Sequence, residues 1–96
     1  MIKLTEQEIQ DSITKLDTAW KVKGELLHRE FLFKDFVEAF SFITAVALEA
    51  EKAAHHPNWK NTYNKVTIDL STHDANGLTT KDFDLAKAID TLFKKS

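Results

Sequence analysis

Apolar residues in this 96-residue chain recur with two different periods, and the switches between those periods predict seven elements. Ile9, Ile13 and Leu16 return at helical intervals, and Thr5 with Glu8 has capping-box spacing, so a first helix is predicted from Thr5. Trp20-Lys21-Val22 predicts a short strand. Gly24 marks a tight turn, because glycine alone accepts positive φ at little cost. A return strand follows over about Leu27 to Phe33, with Leu27, Phe31 and Phe33 on one face and His28, Glu30 and Leu32 on the other. His28 reads as a surface strand residue.

The pattern then changes to a long helix, from Asp35 to about Ala54, with Asp35 and Glu38 at N-cap and N3 spacing. Phe36, Phe40, Ile43, Ala47, Ala50 and Ala54 form one row, and Phe42, Val46 and Ala53 a second row away from it. Val37 and Leu48 widen the apolar surface. A helix apolar over most of its circumference has to be covered on more than one side. A sheet can cover one side, and a second copy of the same helix is the simplest cover for the other. The pattern leaves open which row faces the sheet.

Beyond the only proline, Trp59, Asn61 and Tyr63 have strand spacing, with a turn near Asn64-Lys65. Val66, Ile68 and Leu70 alternate with Thr67, Asp69 and Ser71, as in a half-buried strand. If that strand persists, His73 continues its polar row and faces the same pocket as Ser71. Asn76-Gly77 signals a turn, and a last helix is predicted from Thr79, burying Leu85, Ile89 and Leu92. Short connections within each strand pair favour hairpins. The expected architecture is therefore α+β: a four-stranded antiparallel sheet with three helices on one face, in the order αββαββα.

Composition narrows the class. A content of 43% hydrophobic and 29% charged residues describes one soluble globular domain, residues 1–96, without linkers or repeats. A domain of this size buries a modest fraction of its surface, so oligomerisation would help it. The absence of cysteine excludes a disulfide scaffold and allows cytoplasmic life. A net charge of −2 gives no electrostatic case for direct nucleic-acid or membrane binding. No apolar run approaches membrane-spanning length.

Candidate chemistry concentrates where the long helix ends. His55 and His56 immediately precede Pro57, which disfavours helical geometry at the residue before it, so His56 is the predicted breaking point. A helix C-terminus favours imidazolium, and Glu51, at i,i+4 spacing, could orient or charge His55. Imidazole titrates nearest neutrality, so the pair could form an acid–base station; solvated decoration of a helix end is the plainer alternative. There is no H-x-x-x-H or H-E-x-x-H spacing for a metal. Asp82 likewise has two readings, a first-turn carboxylate complementing its helix N-terminus or a member of a site.

The order of residues carries more than the spacing does. Glu51-Lys52-x-x-His55-His56-Pro57-x-Trp59-x-Asn61-x-Tyr63-Asn64-Lys65-Val66, followed by Leu70-Ser71-Thr72-His73-Asp74, resembles the pterin-4a-carbinolamine dehydratases. Phe33-Lys34-Asp35-Phe36, Ala39-Phe40 and Phe42 are similar to the start of that family's long helix, and Gly77-Leu78, Asp82 and Leu85-Ala86 to its last helix. The likeness runs from about Trp20 to Ile89. One departure is Ala54, which stands where some members carry an acidic residue.

The resemblance implies the αββαββα fold, assembly into homodimers or homotetramers, and loss of water from 4a-hydroxytetrahydropterin to give the quinonoid dihydropterin. That chemistry needs a general acid near the departing hydroxyl and a base for a ring-nitrogen proton, with no redox cofactor and no metal. It further implies His55, His56 and His73 as the catalytic residues: His55 and His73 as the proton-transfer pair, with acid and base unassigned between them, and His56 positioning the substrate and able to share that work. Ala54, Pro57, Ser71, Thr72 and Asp74 become substrate contacts, with Glu51 as an orienter and Asp82 in support. Trp59 either walls the flat pterin ring or packs in the core. A rival function comes with the same family, some of whose members bind a transcription factor and assist its dimerisation through the helix surface. An intact set of three histidines favours catalysis, since a pure adaptor does not need it.

Overall fold

Two hairpins share their inner edges to make the sheet. In the computed structural model, which describes residues 2–95, β1 (Lys21–Lys23) pairs with β2 (Leu26–Leu32), and β3 (Asn58–Thr62) with β4 (Lys65–Leu70). β2 and β4 then pair antiparallel at the centre, giving the order β1-β2-β4-β3. The three helices are α1 (Glu6–Ile13), α2 (Phe36–Ala53) and α3 (Thr80–Lys95), so the expected αββαββα order and α+β class hold.

Register decides which side chains meet the helices. Leu27 lies opposite Leu70 and Phe31 opposite Val66, and all four are buried on one face. The other face carries His28, Glu30, Thr67 and Asp69, in line with the period-2 alternation. His28 is half-buried rather than simply exposed, because its Nδ1 lies 2.6 Å from Asp69 Oδ1 on the neighbouring strand.

Local signals set most boundaries. Thr5 caps α1 through a complete capping box with Glu8. The Asp35 carboxylate accepts from the Glu38 amide at the start of α2. Gly24 takes φ +61 in the β1–β2 turn, where a side chain would be strained. Other boundaries shift by a residue or two. Trp20 lies just before β1, and the β3–β4 turn falls on Tyr63-Asn64, with Tyr63 at φ 50.

The two apolar rows expected on α2 are divided differently in space. Ala39, Phe42, Ile43, Val46 and Ala50 face the core, so the inward stripe takes members from both rows. Phe36, Val37, Phe40 and Leu48 remain 49–72% exposed. Inside, Phe31, Phe33, Phe42 and Phe93 stack at centroid distances of 4.9 to 5.9 Å. Leu92 is only partly buried at the margin of this core.

A charged cluster absent from the sequence-based expectations lies within the same core. The buried Arg29 guanidinium donates to Asp90 Oδ1 at 2.7 Å and sits 4.4 Å from the Phe31 centroid. Asp90 also accepts from Trp20 Nε1 at 2.6 Å and from the Asp17 amide at 3.1 Å. One carboxylate thereby ties β2, α3 and the approach to β1 together.

Candidate active site

Three chain segments end at the same place: the C-terminus of α2, the end of β4 and the first turn of α3. α2 stops at Ala53 because Ala54 enters the left-handed region at φ 53, two residues before the break expected from Pro57. The Ala54 amide returns to the Glu51 carbonyl and the His55 amide to Ala50, a Schellman-type closure. This reversal sends the two histidines in different directions. His55 is buried, while the side chain of His56 is largely exposed.

Breaking the helix there also undoes the i,i+4 relation expected between Glu51 and His55. Glu51 Oε1 instead lies 2.8 Å from His56 Nε2, and both side chains are open to solvent. The partner of His55 comes from 27 residues further along. His55 Nε2 lies 2.6 Å from Oδ1 of Asp82, a residue with no solvent exposure.

Asp82 holds the helix start as expected and also reaches His55. Its Oδ2 accepts from the Thr79 amide at 2.9 Å, as a helix-start carboxylate does, and from Thr72 Oγ1 at 2.9 Å. Thr72 and Thr79 hydroxyls are 2.8 Å apart. Since Thr72 has a single hydroxyl proton and spends it on Asp82, the Thr79 hydroxyl donates to Thr72. Each oxygen of the buried carboxylate is therefore occupied, as burial of a charge requires. An ionised carboxylate only accepts, so this arrangement assigns the His55 proton to Nε2 and turns Nδ1 away from Asp82.

Between these segments lies a cleft of about 300 Å³ lined by Ala54, His55, His56, Ser71, Thr72, His73, Asp74 and Lys81. This is at the lower end of the range for small-molecule sites, about 300–1,000 Å³. His73 reaches it differently than expected. β4 ends at Leu70, and His73 opens a 3₁₀ turn, His73–Ala75, closed by Asn76 at φ 57 and a Thr72–Gly77 bridge. His73 and Ser71 nevertheless share the cleft.

Of the sequence-predicted residues, Ala54, His55, His56, Ser71, Thr72, His73 and Asp74 line the cleft, and Asp82 lies beneath it. Glu51, Pro57 and Trp59 do not line it. With His56 they border a neighbouring apolar groove against Ala47, Leu48 and Ala50. Core packing for Trp59 is overturned: it is 41% exposed on the edge strand β3, where α2 covers it only in part. Two cleft-associated residues escaped the sequence reading. Thr79, taken as a helix start, also anchors Asp82. Lys81 carried a signal of its own, a cation in the first turn of a helix, where anions are favoured.

Fold and cleft together define a small α+β protein with a histidine-lined pocket built at the junction of two helices and a hairpin. The chain belongs to the pterin 4 alpha carbinolamine dehydratase family, whose model matches residues 2–92. A Solibacter usitatus relative named "Putative pterin-4-alpha-carbinolamine dehydratase" is 53% identical over 90 residues, 94% of each chain. One of the same name from Christiangramia forsetii is 48% identical, covering all of this chain and 98% of its own. Among solved structures, the transcriptional coactivator/pterin dehydratase of Brucella melitensis superposes with TM-score 0.89 at 43% identity, covering 94% and 97% of the two chains. A pterin dehydratase-like RuBisCO assembly factor of the alpha-carboxysome shares the fold, with TM-score 0.66 at 23% identity over 80% and 89%.

Proposed function

We propose that this protein catalyses the loss of water from 4a-hydroxytetrahydropterin, giving the quinonoid dihydropterin, with cleft histidines moving the protons. The observation that carries this reading is the convergence of His55, His56 and His73 on one cleft with Ser71, Thr72 and Asp74, in a chain of this family. In the reaction the C4a–O bond breaks as the hydroxyl takes a proton and leaves as water. A ring nitrogen loses its proton as the new C=N bond forms. The step is redox-neutral and needs one acid and one base.

Imidazoles suit both roles near neutral pH, each contributing about 10²–10⁴-fold. The Asp82 bond fixes His55 with Nε2 protonated, so the neutral ring has an unprotonated Nδ1, the form of a base. His73 makes no side-chain hydrogen bond to another described residue, which leaves both of its ring nitrogens available to substrate and suits it as the acid. His56, held by Glu51 at the cleft margin, positions the substrate. The test is direct. Purified protein should accelerate dehydration of 4a-hydroxytetrahydropterin well above the slow spontaneous rate, and a rate equal to that background overturns the proposal.

The exposed apolar face of α2 supports a second role, association. Phe36, Val37, Phe40 and Leu48 form a surface suited to a homodimer or homotetramer through the long helix. The same face would serve the alternative role of binding a transcription factor, a reading supported by the name transcriptional coactivator/pterin dehydratase carried by the Brucella protein. A protein monomeric by light scattering at low micromolar concentration would refute the self-association.

A further inference from the structure

Lys81 departs from every other lysine among the described residues. Eleven are exposed, and Lys81 alone is half-buried. Like most of the lysines it forms no ion pair with another described residue, but it alone lines the histidine cleft.

The charges around it do not neutralise it. Asp82, the next residue, spends both oxygens on His55, Thr72 and the Thr79 amide. Asp74, the carboxylate on the cleft lining, is exposed and makes no ion pair with Lys81. Ala54 contributes only a methyl group to the wall. The remaining polar lining consists of imidazoles and hydroxyls. Lys81 also sits in the first turn of α3, where the helix dipole disfavours a cation. Partial burial, no counter-ion and an unfavourable helix position each cost stability, and all three are relieved by an anion in the cleft.

We propose that Lys81 determines substrate specificity, selecting tetrahydropterins whose side chain bears an anionic group, a phosphate or a carboxylate. This inference rests on the pterin reading of the cleft and adds the class of substituent. The histidines attend to the reacting edge of the ring, and Lys81 reads the substituent. Lysine meets phosphate or carboxylate as a compact point charge, so the recognition depends on charge more than on shape.

The experiment measures binding of two stable probes, 7,8-dihydroneopterin and its 3′-monophosphate, by calorimetry to wild type, Lys81→Gln and Lys81→Glu. Wild type is expected to bind the phosphate form about tenfold more tightly, with the ratio shrinking as salt is raised. Lys81→Gln should bring the ratio near one, and Lys81→Glu should invert it. Both substitutions remove a cation from a helix N-terminus, so both variants should melt no lower than wild type, which separates lost recognition from lost fold. A wild-type ratio near one, or a ratio that survives Lys81→Gln, overturns the proposal and leaves the pterin reading standing. Binding of neither probe overturns the pterin reading and the Lys81 proposal with it.

Discussion

Replacing Asp82 by asparagine tests the chemistry of the cleft while changing almost nothing in shape. Asp82 is wholly buried and accepts from His55 Nε2, Thr72 Oγ1 and the Thr79 amide at 2.6 to 2.9 Å. Asparagine has one accepting oxygen and one donating amide. The Thr72 and Thr79 groups point donors at Oδ2, so the oxygen must stay there and the amide must turn towards His55. His55 Nε2 then has to accept, its proton moves to Nδ1, and the atom facing away from residue 82 changes from acceptor to donor. If His55 is the base as proposed, it becomes a poor one without moving the ring.

Stability should respond far less than rate. Exchanging charged for neutral hydrogen bonds at this site costs about 1–3 kcal/mol, offset in part because no charge remains buried. In a chain of this size each kcal/mol corresponds to about 4–8 °C in Tm. The dehydration rate, in contrast, should fall by about 10²-fold or more, the scale of a general base. Rates measured well below the variant's Tm, beside calorimetric melting, separate the two effects. Folded Asp82→Asn retaining the wild-type rate within about twofold would return Asp82 to a purely structural role.

Four further outcomes are expected. His55→Ala and His73→Ala should each lose at least about an order of magnitude in dehydration rate while circular dichroism retains the folded signature; near-wild-type rates in both would defeat the acid–base assignment. Phe42→Glu should unfold the chain, since Phe42 is buried against Phe31 and Phe33, whereas Phe40→Glu, on the open face of α2, should give a folded species smaller by light scattering. Asp90→Ala should cost about 3–5 kcal/mol in urea denaturation, because the buried Arg29 would keep only its longer, 3.7 Å contact to the exposed Asp17. Exhaustive chelation should leave activity intact, since His55 and His56 each already engage a carboxylate and their spacing offers no ordinary zinc site; activity lost with stoichiometric zinc would contradict this.

The sequence was most informative where one local rule decided the outcome. Capping by Thr5 and Asp35, the glycine turn at Gly24 and the alternation Val66-Ile68-Leu70 follow from nearest-neighbour chemistry, and the fold follows from them. Errors arose where distant segments compete for one side chain. Helical spacing points Glu51 at His55, but the left-handed Ala54 ends the helix first and Asp82, remote in sequence, takes that place. The two rows on α2 were both real, yet the inward stripe depends on where the sheet lies, which no pattern within the helix contains. The Arg29–Asp90 pair was invisible for the same reason: each residue alone looks like ordinary surface charge.

All the residues lining the cleft fall in one uninterrupted stretch, from Ala54 to Lys81, which carries the β3–β4 hairpin and the joints on either side of it. The first half of the chain supplies support and no lining side chain. The cleft lining is thus written in one part of the gene, interleaved there with the core residues Val66, Ile68 and Leu70. Substitutions at core positions in either half would register as loss of soluble protein, whereas those at the cleft lining between Ala54 and Lys81 would leave the core in place. Transplanting that cassette into a related scaffold would move the selectivity along with it.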